Sequence, residues 1–245
     1  MSRWAVVLFS KSPAADACKT RLRSALTADA ANTLQAALIQ DIWHQIASDS
    51  PYDLWVAAPS LQSLSYFAPL THLLLIQEGR TLGDKMRGVA AQLFAAGYFR
   101  VILIGSDMPL MTRHLLNAAY HRLQRADCVL GPARDGGYYL IGLKPNTPDV
   151  FARVPWGTDQ VLCATLQILR RDGASHALLP VHRDIDTWDD VQYYAKFRAR
   201  YDTVPHFTVW CSKTLNHLQS PSRVPAYAGI TPHLVGFVPT PRKSH

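Results

Sequence analysis

The stretch VILIGSDMPLMT, Val101 to Thr112, opens as an apolar run of strand length and closes at the start of a helix. One carboxylate, Asp107, stands where the two meet, and Pro109 follows it. The run Val101–Ile104 does not alternate polar with apolar residues, which is the pattern of a strand buried on both faces of a sheet. Thr112 suits a helix N-cap, and after it Leu115, Leu116, Ala119 and Leu123 fall on one helical face. Strand, acidic loop and helix in that order predict an α/β unit with Asp107 at the carboxyl edge of the sheet.

The same alternation precedes this stretch. WAVVLF (Trp4–Phe9) leads to a helical segment from Thr27 to Ser48, then DLWVAA, HLLLI and a second helical segment from Gly83 to Ala96. In the first helix Leu34, Leu38, Ile42 and Ile46 recur every four residues, a core-packing stripe with Thr27 as its N-cap. Past residue 127 the rhythm changes, because DCVLGPA and YYLIGL are separated only by RDGG, a spacing for a hairpin-like return and not for a helical crossover. A mostly parallel, mixed sheet covered by helices follows, completed by a helix near 159–171, the strand HALLPV and a last helix from about Trp188 to residue 200. The domain is expected to span residues 1–201. Residues 202–245, with five prolines after Ser220 and no apolar period, read as an irregular or disordered tail.

Composition narrows the function. The chain has 245 residues, of which 48% are hydrophobic and 18% charged, and a formal charge of +7, enough for one full core and an appendage. The positive residues form no run of five or six, and a net +3 of the excess sits in 202–245, where Lys213, Arg223, Arg242 and Lys243 face Asp202 alone. That distribution suits a phosphorylated small ligand, with nucleic acid the weaker option. Cys18, Cys128, Cys163 and Cys211 lie too far apart for a zinc or redox motif and read as buried or incidental thiols. No run of about 18 apolar residues offers a membrane span, and the apolar start is too short and too soon interrupted for a signal peptide, so a soluble cytoplasmic protein is expected.

Four places can carry chemistry. After the first strand the loop holds Lys11, Lys19 and Arg21. At the carboxyl edge of an open sheet such cations suit a di- or triphosphate, and a solvated basic loop is the plainer reading. Asp107 reads either as a turn aspartate before Pro109 or as a ligand of Mg²⁺, which takes few protein ligands and keeps several waters. Asp135, Gly136 and Gly137 form an ordinary tight-turn sequence, or let backbone approach a ligand while Asp135 contacts a hydroxyl. In HRDIDTWDD, Thr187 and Asp190 have the spacing of a capping box. Asp184 and Asp186, two apart on an extended segment, share a face and offer a second metal ligand, for which Asp186 is favoured.

In this order, KSPAADACKTRL, LGDKM, IGSDMP, GPARDGGYYLIGL, VPWGT and DIDTWDDV resemble the DUF2064 proteins over roughly residues 4–200. These are a glycosyltransferase-A-like family related in fold to the MobA-like nucleotidyltransferases. The resemblance implies the three-layer α/β fold of the nucleotide-diphospho-sugar transferases, with Lys19 and Arg21 near the phosphates and Gly79 and LGDKM near the nucleoside. It also implies that Asp107 and, by analogy with the wider fold, Asp186 ligate Mg²⁺ or Mn²⁺. One departure stands out: Asp16 occupies a place where the family usually has glycine, and a carboxylate beside a phosphate site is unfavourable unless it points away. The implied activity is a metal-dependent transfer from a nucleotide-activated donor to a small acceptor, foremost glycosyl transfer from a nucleotide sugar, with Asp135 as base or acceptor contact. Nucleotidyl transfer with release of pyrophosphate is the alternative, and a non-catalytic nucleotide- or nucleic-acid-binding module a third.

Overall fold

The computed structural model describes residues 3–197 and 203–218. Its first half comprises β1 (Trp4–Phe9), α1 (Ala28–Ala47), β2 (Asp53–Ala58), α2 (Leu61–Phe67), β3 (Leu74–Ile76), α3 (Leu82–Ala95) and β4 (Arg100–Gly105). Its second half comprises α4 (Arg113–Leu123), β5 (Cys128–Pro132), β6 (Tyr138–Leu143), α5 (Val161–Arg171), β7 (His176–Leu178), α6 (Trp188–Phe197) and α7 (Pro205–Leu218). The strands form one sheet in the order β3-β2-β1-β4-β6-β5-β7. β6 alone among them runs antiparallel, to both β4 and β5, so the RDGG return makes the hairpin its length predicts.

The unalternating strands are unalternating because both sheet faces are covered. Trp4, Val6 and Leu8 of β1 and Ile102 and Ile104 of β4 pack with α1, α2 and α4 on one face. Ala5, Val7, Val101 and Leu103 pack with α3 and α5 on the other. Each valine, leucine or isoleucine among them, fully buried, contributes about 1.5–3 kcal/mol. Thr27 and Thr112 cap α1 and α4 by accepting from the N–H groups of Ala30 and Leu115. β1 lies between β2 and β4, so the chain proceeds outward from β1 in both directions. Such a reversal of strand order opens a crevice beyond the carboxyl ends of the strands.

The expectation of an irregular segment from residue 202 does not hold for Pro205–Leu218, which form α7. Phe207, Trp210 and Cys211 are buried there against Ala31, Leu34 and Leu38 of α1. Asp41 of α1, itself buried, accepts from the N–H groups of His206 (2.9 Å) and Phe207 (2.8 Å), satisfying the first turn of α7. Pro205 opens this helix at a position where its missing N–H costs nothing. The remainder of the expected tail, 219–245, lies outside the described residues. Among those described, no helix is long and apolar enough to cross a membrane.

Candidate functional site

Beyond β1 the chain closes on itself before releasing Lys19. The Ser12 N–H donates to Asp16 Oδ2 (2.7 Å), the Asp16 N–H donates to the Ser12 carbonyl (2.8 Å), and Cys18 Sγ donates to the same carbonyl. Asn32 of α1 secures this loop by accepting from the Cys18 N–H and donating to the Pro13 carbonyl. Asp16 thus turns one carboxylate oxygen back onto its own loop. Burial, then the nearby Asp16, pushes the Cys18 thiol up to about 11, which disfavours the thiolate.

Lys19 then adopts the left-handed backbone conformation (φ 47°, ψ 44°), uncommon for a residue with a Cβ and costing about 1–2 kcal/mol. The bend sends its side chain inward, where only 3% of it is exposed. The ammonium lies 2.8 Å from Asp107 Oδ1, 3.9 Å from Asp186 Oδ1, and donates to the carbonyl of Ile185. Arg21, on the short 3₁₀ turn Thr20–Ser24, reaches within 3.6 Å of Asp186 Oδ2 yet stays 63% exposed.

Asp107 leaves the end of β4 through Ser106, and Gln35 of α1 braces both sides of the crevice. Its amide nitrogen donates to Ser106 Oγ (2.7 Å) and Ser10 Oγ (3.3 Å) inside the protein. The sequence marks this residue only by its polarity within the buried face of α1. Opposite, the Ile185 N–H donates to the Asp107 carbonyl (2.8 Å), which sets the DID segment alongside the β4 loop. Asp190 fixes that segment by accepting from the N–H groups of Asp186 and Thr187 and from the Thr187 hydroxyl, the predicted capping box extended by one residue. Arg183, 2.7 Å from Asp190 Oδ1, adds an ion pair.

Lys19, Arg21, Gln35, Asp107 and Asp186 line one cleft of about 670 Å³ that also receives Asp135, Gly137, Lys11 and, from α3 and the loop before α5, Lys85, Met86 and Trp156. Lys11 stands at the rim, donating to the Ala17 carbonyl. Asp135 Oδ1 accepts from the Gly137 N–H (2.9 Å), which leaves its second oxygen free of this turn contact. Gly136 and Gly79 do not line the cleft. Gly136 (φ 88°) lets the hairpin pass the Asp159 carbonyl, which a Cβ would approach to 2.0 Å, and Gly79 (φ 132°) packs on Asp84 at the start of α3. Gly83 has a similar service, since a Cβ there would lie 2.7 Å from the Trp156 indole.

Burial, reinforced by Asp107, Asp186 and Asp135, holds the Asp184 carboxyl well above the usual carboxylate range. Burial and Asp107 also push Asp186 up, against the opposing pull of Lys19 and Arg21. Asp184 Oδ1 is buried with no hydrogen-bond partner. The cluster is thus short of positive charge, and its oxygen donors suit a hard divalent ion. Among the described residues no three His, Cys, Asp or Glu side chains converge on one metal position. An ion held by Asp107 and Asp186 would complete its shell with water and ligand phosphate, as Mg²⁺ commonly does.

A family model described as an uncharacterized protein conserved in bacteria, DUF2064, matches residues 43–158. No curated protein matches the sequence. Among solved structures, a protein from Desulfovibrio desulfuricans G20, provisionally assigned as a nucleotide-diphospho-sugar transferase, is 31% identical over 87% of this chain and 96% of its own, with a TM-score of 0.79. A cytidylyltransferase from Leptospira borgpetersenii serovar Hardjo-bovis is similar in fold at 8% identity, over 91% of this chain and 100% of its own, with a TM-score of 0.55. So is a CMP:2-keto-3-deoxy-manno-octonic acid synthetase complexed with CTP, at 10% identity over 81% of this chain and 99% of its own, with a TM-score of 0.50. At such identities the likeness speaks for the fold alone.

Proposed function

Because this chain belongs to the DUF2064 family and has the fold of the nucleotide-diphospho-sugar transferases, we propose that it is a metal-dependent transferase that moves a glycosyl unit from a nucleoside diphospho-sugar to a small acceptor. The observation that carries this reading is the meeting, in one cleft at the strand-order reversal, of Lys19 and Arg21 with Asp107 and Asp186. Cations alone would suit any anion, and carboxylates alone would repel one. Together they suit a diphosphate bound with a divalent cation.

In this reading Asp107 and Asp186 hold Mg²⁺ or Mn²⁺, which supplies charge neutralisation to the diphosphate as it departs. Arg21, exposed and planar, reaches a phosphate in a two-point contact, and Lys19 provides a second positive charge from the buried side. Asp135 contacts the acceptor hydroxyl through Oδ2 and takes its proton, since Oδ1 is held by the Gly137 N–H. The walls formed by Met86 and Trp156 exclude water from one side of the cleft. Lys11 and Gly137 serve the donor at the rim; Gly79 and Gly136 serve it indirectly, by shaping the loops behind it.

Nucleotidyl transfer uses the same charges with a triphosphate. The two reactions part in what leaves: a nucleoside diphosphate in one, pyrophosphate in the other. Calorimetric titration with Mn²⁺ present should therefore place nucleoside diphosphates and their sugar conjugates ahead of triphosphates. Tighter triphosphate binding, with pyrophosphate released on adding an acceptor, would replace glycosyl transfer by nucleotidyl transfer. Nucleotide binding without turnover of any donor would leave a binding module.

A further inference from the structure

We propose that Lys19 is the resident counter-ion of the cation site, and that its ammonium and the divalent ion exclude each other until donor phosphate draws the ammonium away. The inference rests on the reading of Asp107 and Asp186 as ion ligands. It goes beyond it by making ion and nucleotide enter together, through one residue.

Lys19 is not placed like a lysine awaiting a phosphate. Arg21, two residues on, leaves 63% of its side chain to solvent, whereas Lys19 leaves 3%. An ammonium has three N–H donors and no acceptor, and here two close protein oxygens, Asp107 Oδ1 and the Ile185 carbonyl, take it, with Asp186 Oδ1 further off at 3.9 Å. With its side chain 3% exposed, this group meets a phosphate fully only by drawing back from Asp107 or the Ile185 carbonyl. The left-handed backbone at Lys19 and the burial of its side chain set its resting place inside the fold, from which the ammonium need shift only as far as a phosphate beside the ion.

The charge around it explains why something positive must sit there. Asp107 and Asp135 stand close enough to disfavour the charge on Asp184 and Asp186, with Lys19 opposing at both and Arg21 at Asp186. A divalent ion binding between Asp107 and Asp186 would come within a few ångströms of the ammonium, and meet twice the repulsion of two unit charges. It would also compete for Asp107 Oδ1, which the ammonium already uses. A diphosphate changes the balance by offering Lys19 new anionic partners beside the ion. Because coupling between two ligands is reciprocal, the nucleotide must then tighten the ion as much as the ion tightens the nucleotide.

The test is Mn²⁺ binding to the full chain, read from the electron paramagnetic resonance signal of free Mn²⁺. It is run without nucleotide and with ADP, CDP, GDP or UDP in turn. Lys19→Met should bind Mn²⁺ alone at least tenfold more tightly than the parent protein and lose most of the tightening by nucleotide; Lys19→Arg, which keeps the charge, should resemble the parent. Should Lys19→Met fold poorly, Lys19→Gln keeps a donor for the Ile185 carbonyl without the charge, and should show the same gain. Equal or weaker Mn²⁺ binding by the uncharged variants overturns the proposal. If that result comes with Mn²⁺ binding that Asp107→Ala abolishes, the transferase reading stands and the counter-ion role alone falls. Absence of Mn²⁺ binding to every variant, with and without nucleotide, removes both.

Discussion

The main-chain N–H of Ile185 donates to the carbonyl of Asp107 at 2.8 Å, although the two residues are 78 positions apart. That single bond sets the loop after β4 beside the segment entering α6, and so brings the carboxylates of Asp107 and Asp186 to the same ammonium. Neither stretch contributes the site alone. The sheet supplies one, and the capping box of α6 orients the other.

Asp107 should therefore separate site from fold. Its side chain is 41% exposed and packs in no core cluster, so Asp107→Ala should keep a cooperative melt, lowered only by the loss of the ion pair with the buried Lys19. The same variant should lose the Mn²⁺-dependent part of nucleotide affinity. Calorimetry with and without Mn²⁺ checks this, and an unchanged metal increment would refute the ligand role.

Gln35 should behave in the opposite way. It is 3% exposed and donates to two buried hydroxyls, Ser10 and Ser106, that flank the cleft. Gln35→Leu keeps the volume but removes the donor to both, leaving Ser10 its bond to the Lys11 carbonyl and Ser106 its contact with Asp107, at a cost of about 0.5–1.5 kcal/mol for each lost hydrogen bond. Denaturant unfolding measures the loss directly. A neutral result would mean that the two serines find other partners.

How much of this was legible in the sequence differs by element. β1, α1, β4 and α4 were, because each carries an unbroken apolar run or a four-residue stripe ended by a threonine cap. α2 was not, since seven residues are too few to display a period. α7 was obscured by Pro205, which reads as a breaker although it starts the helix. Val204, Phe207, Trp210, Cys211 and Leu215 do carry helical spacing, and could have revealed it. At the site, residue types at strand ends pointed to Lys19, Arg21, Asp107 and Asp186. The inward turn of Lys19 had no such signal, because a lysine in the left-handed conformation looks like any other lysine. Gly79 and Gly136, read as lying near the nucleotide, stand outside the cleft lining at places where a Cβ would meet Asp84 or the Asp159 backbone.

The place of α7 in the core makes a truncation informative. Ending the chain after residue 201 removes Phe207 and Trp210 from the face of α1 and leaves Asp41 buried without its two N–H donors. Losing two large aromatic side chains at about 3–5 kcal/mol each approaches the whole stability of a domain. That chain should be insoluble or molten by near-ultraviolet circular dichroism. Ending it after Leu218 should preserve a cooperative melt within a few degrees of the parent, as the prolines and absent period of the later residues suggest. A folded chain of 201 residues would show that α7 is ornamental.

The acidic cluster, finally, should make stability depend on pH in a direction opposite to that of an ordinary ion pair. Burial first, then Asp107, Asp186 and Asp135, raise the Asp184 carboxyl well above its ordinary value near 4. In the window above that value the folded chain keeps a proton that the unfolded chain has released. Stability must therefore fall as pH rises through the folded-state pKa, and the contribution is fully favourable only below the unfolded one. Asp184→Asn carries no charge to bury, so it should melt above the parent protein at neutral pH, and the gap should close as both are taken down to about pH 4. Comparing the two proteins isolates this group from other carboxyls, such as Asp84 and Asp127, whose hydrogen bonds lower their pKa and shift their effect to more acidic pH. Mn²⁺ should narrow the neutral-pH gap by raising the melting temperature of the parent protein more than that of Asp184→Asn, because only the parent has a carboxyl that can give up its proton in favour of the cation. A gap that stays constant from pH 4 to pH 8, in thermal melts buffered at equal ionic strength, would show that Asp184 is not the group that charges at the expense of the fold.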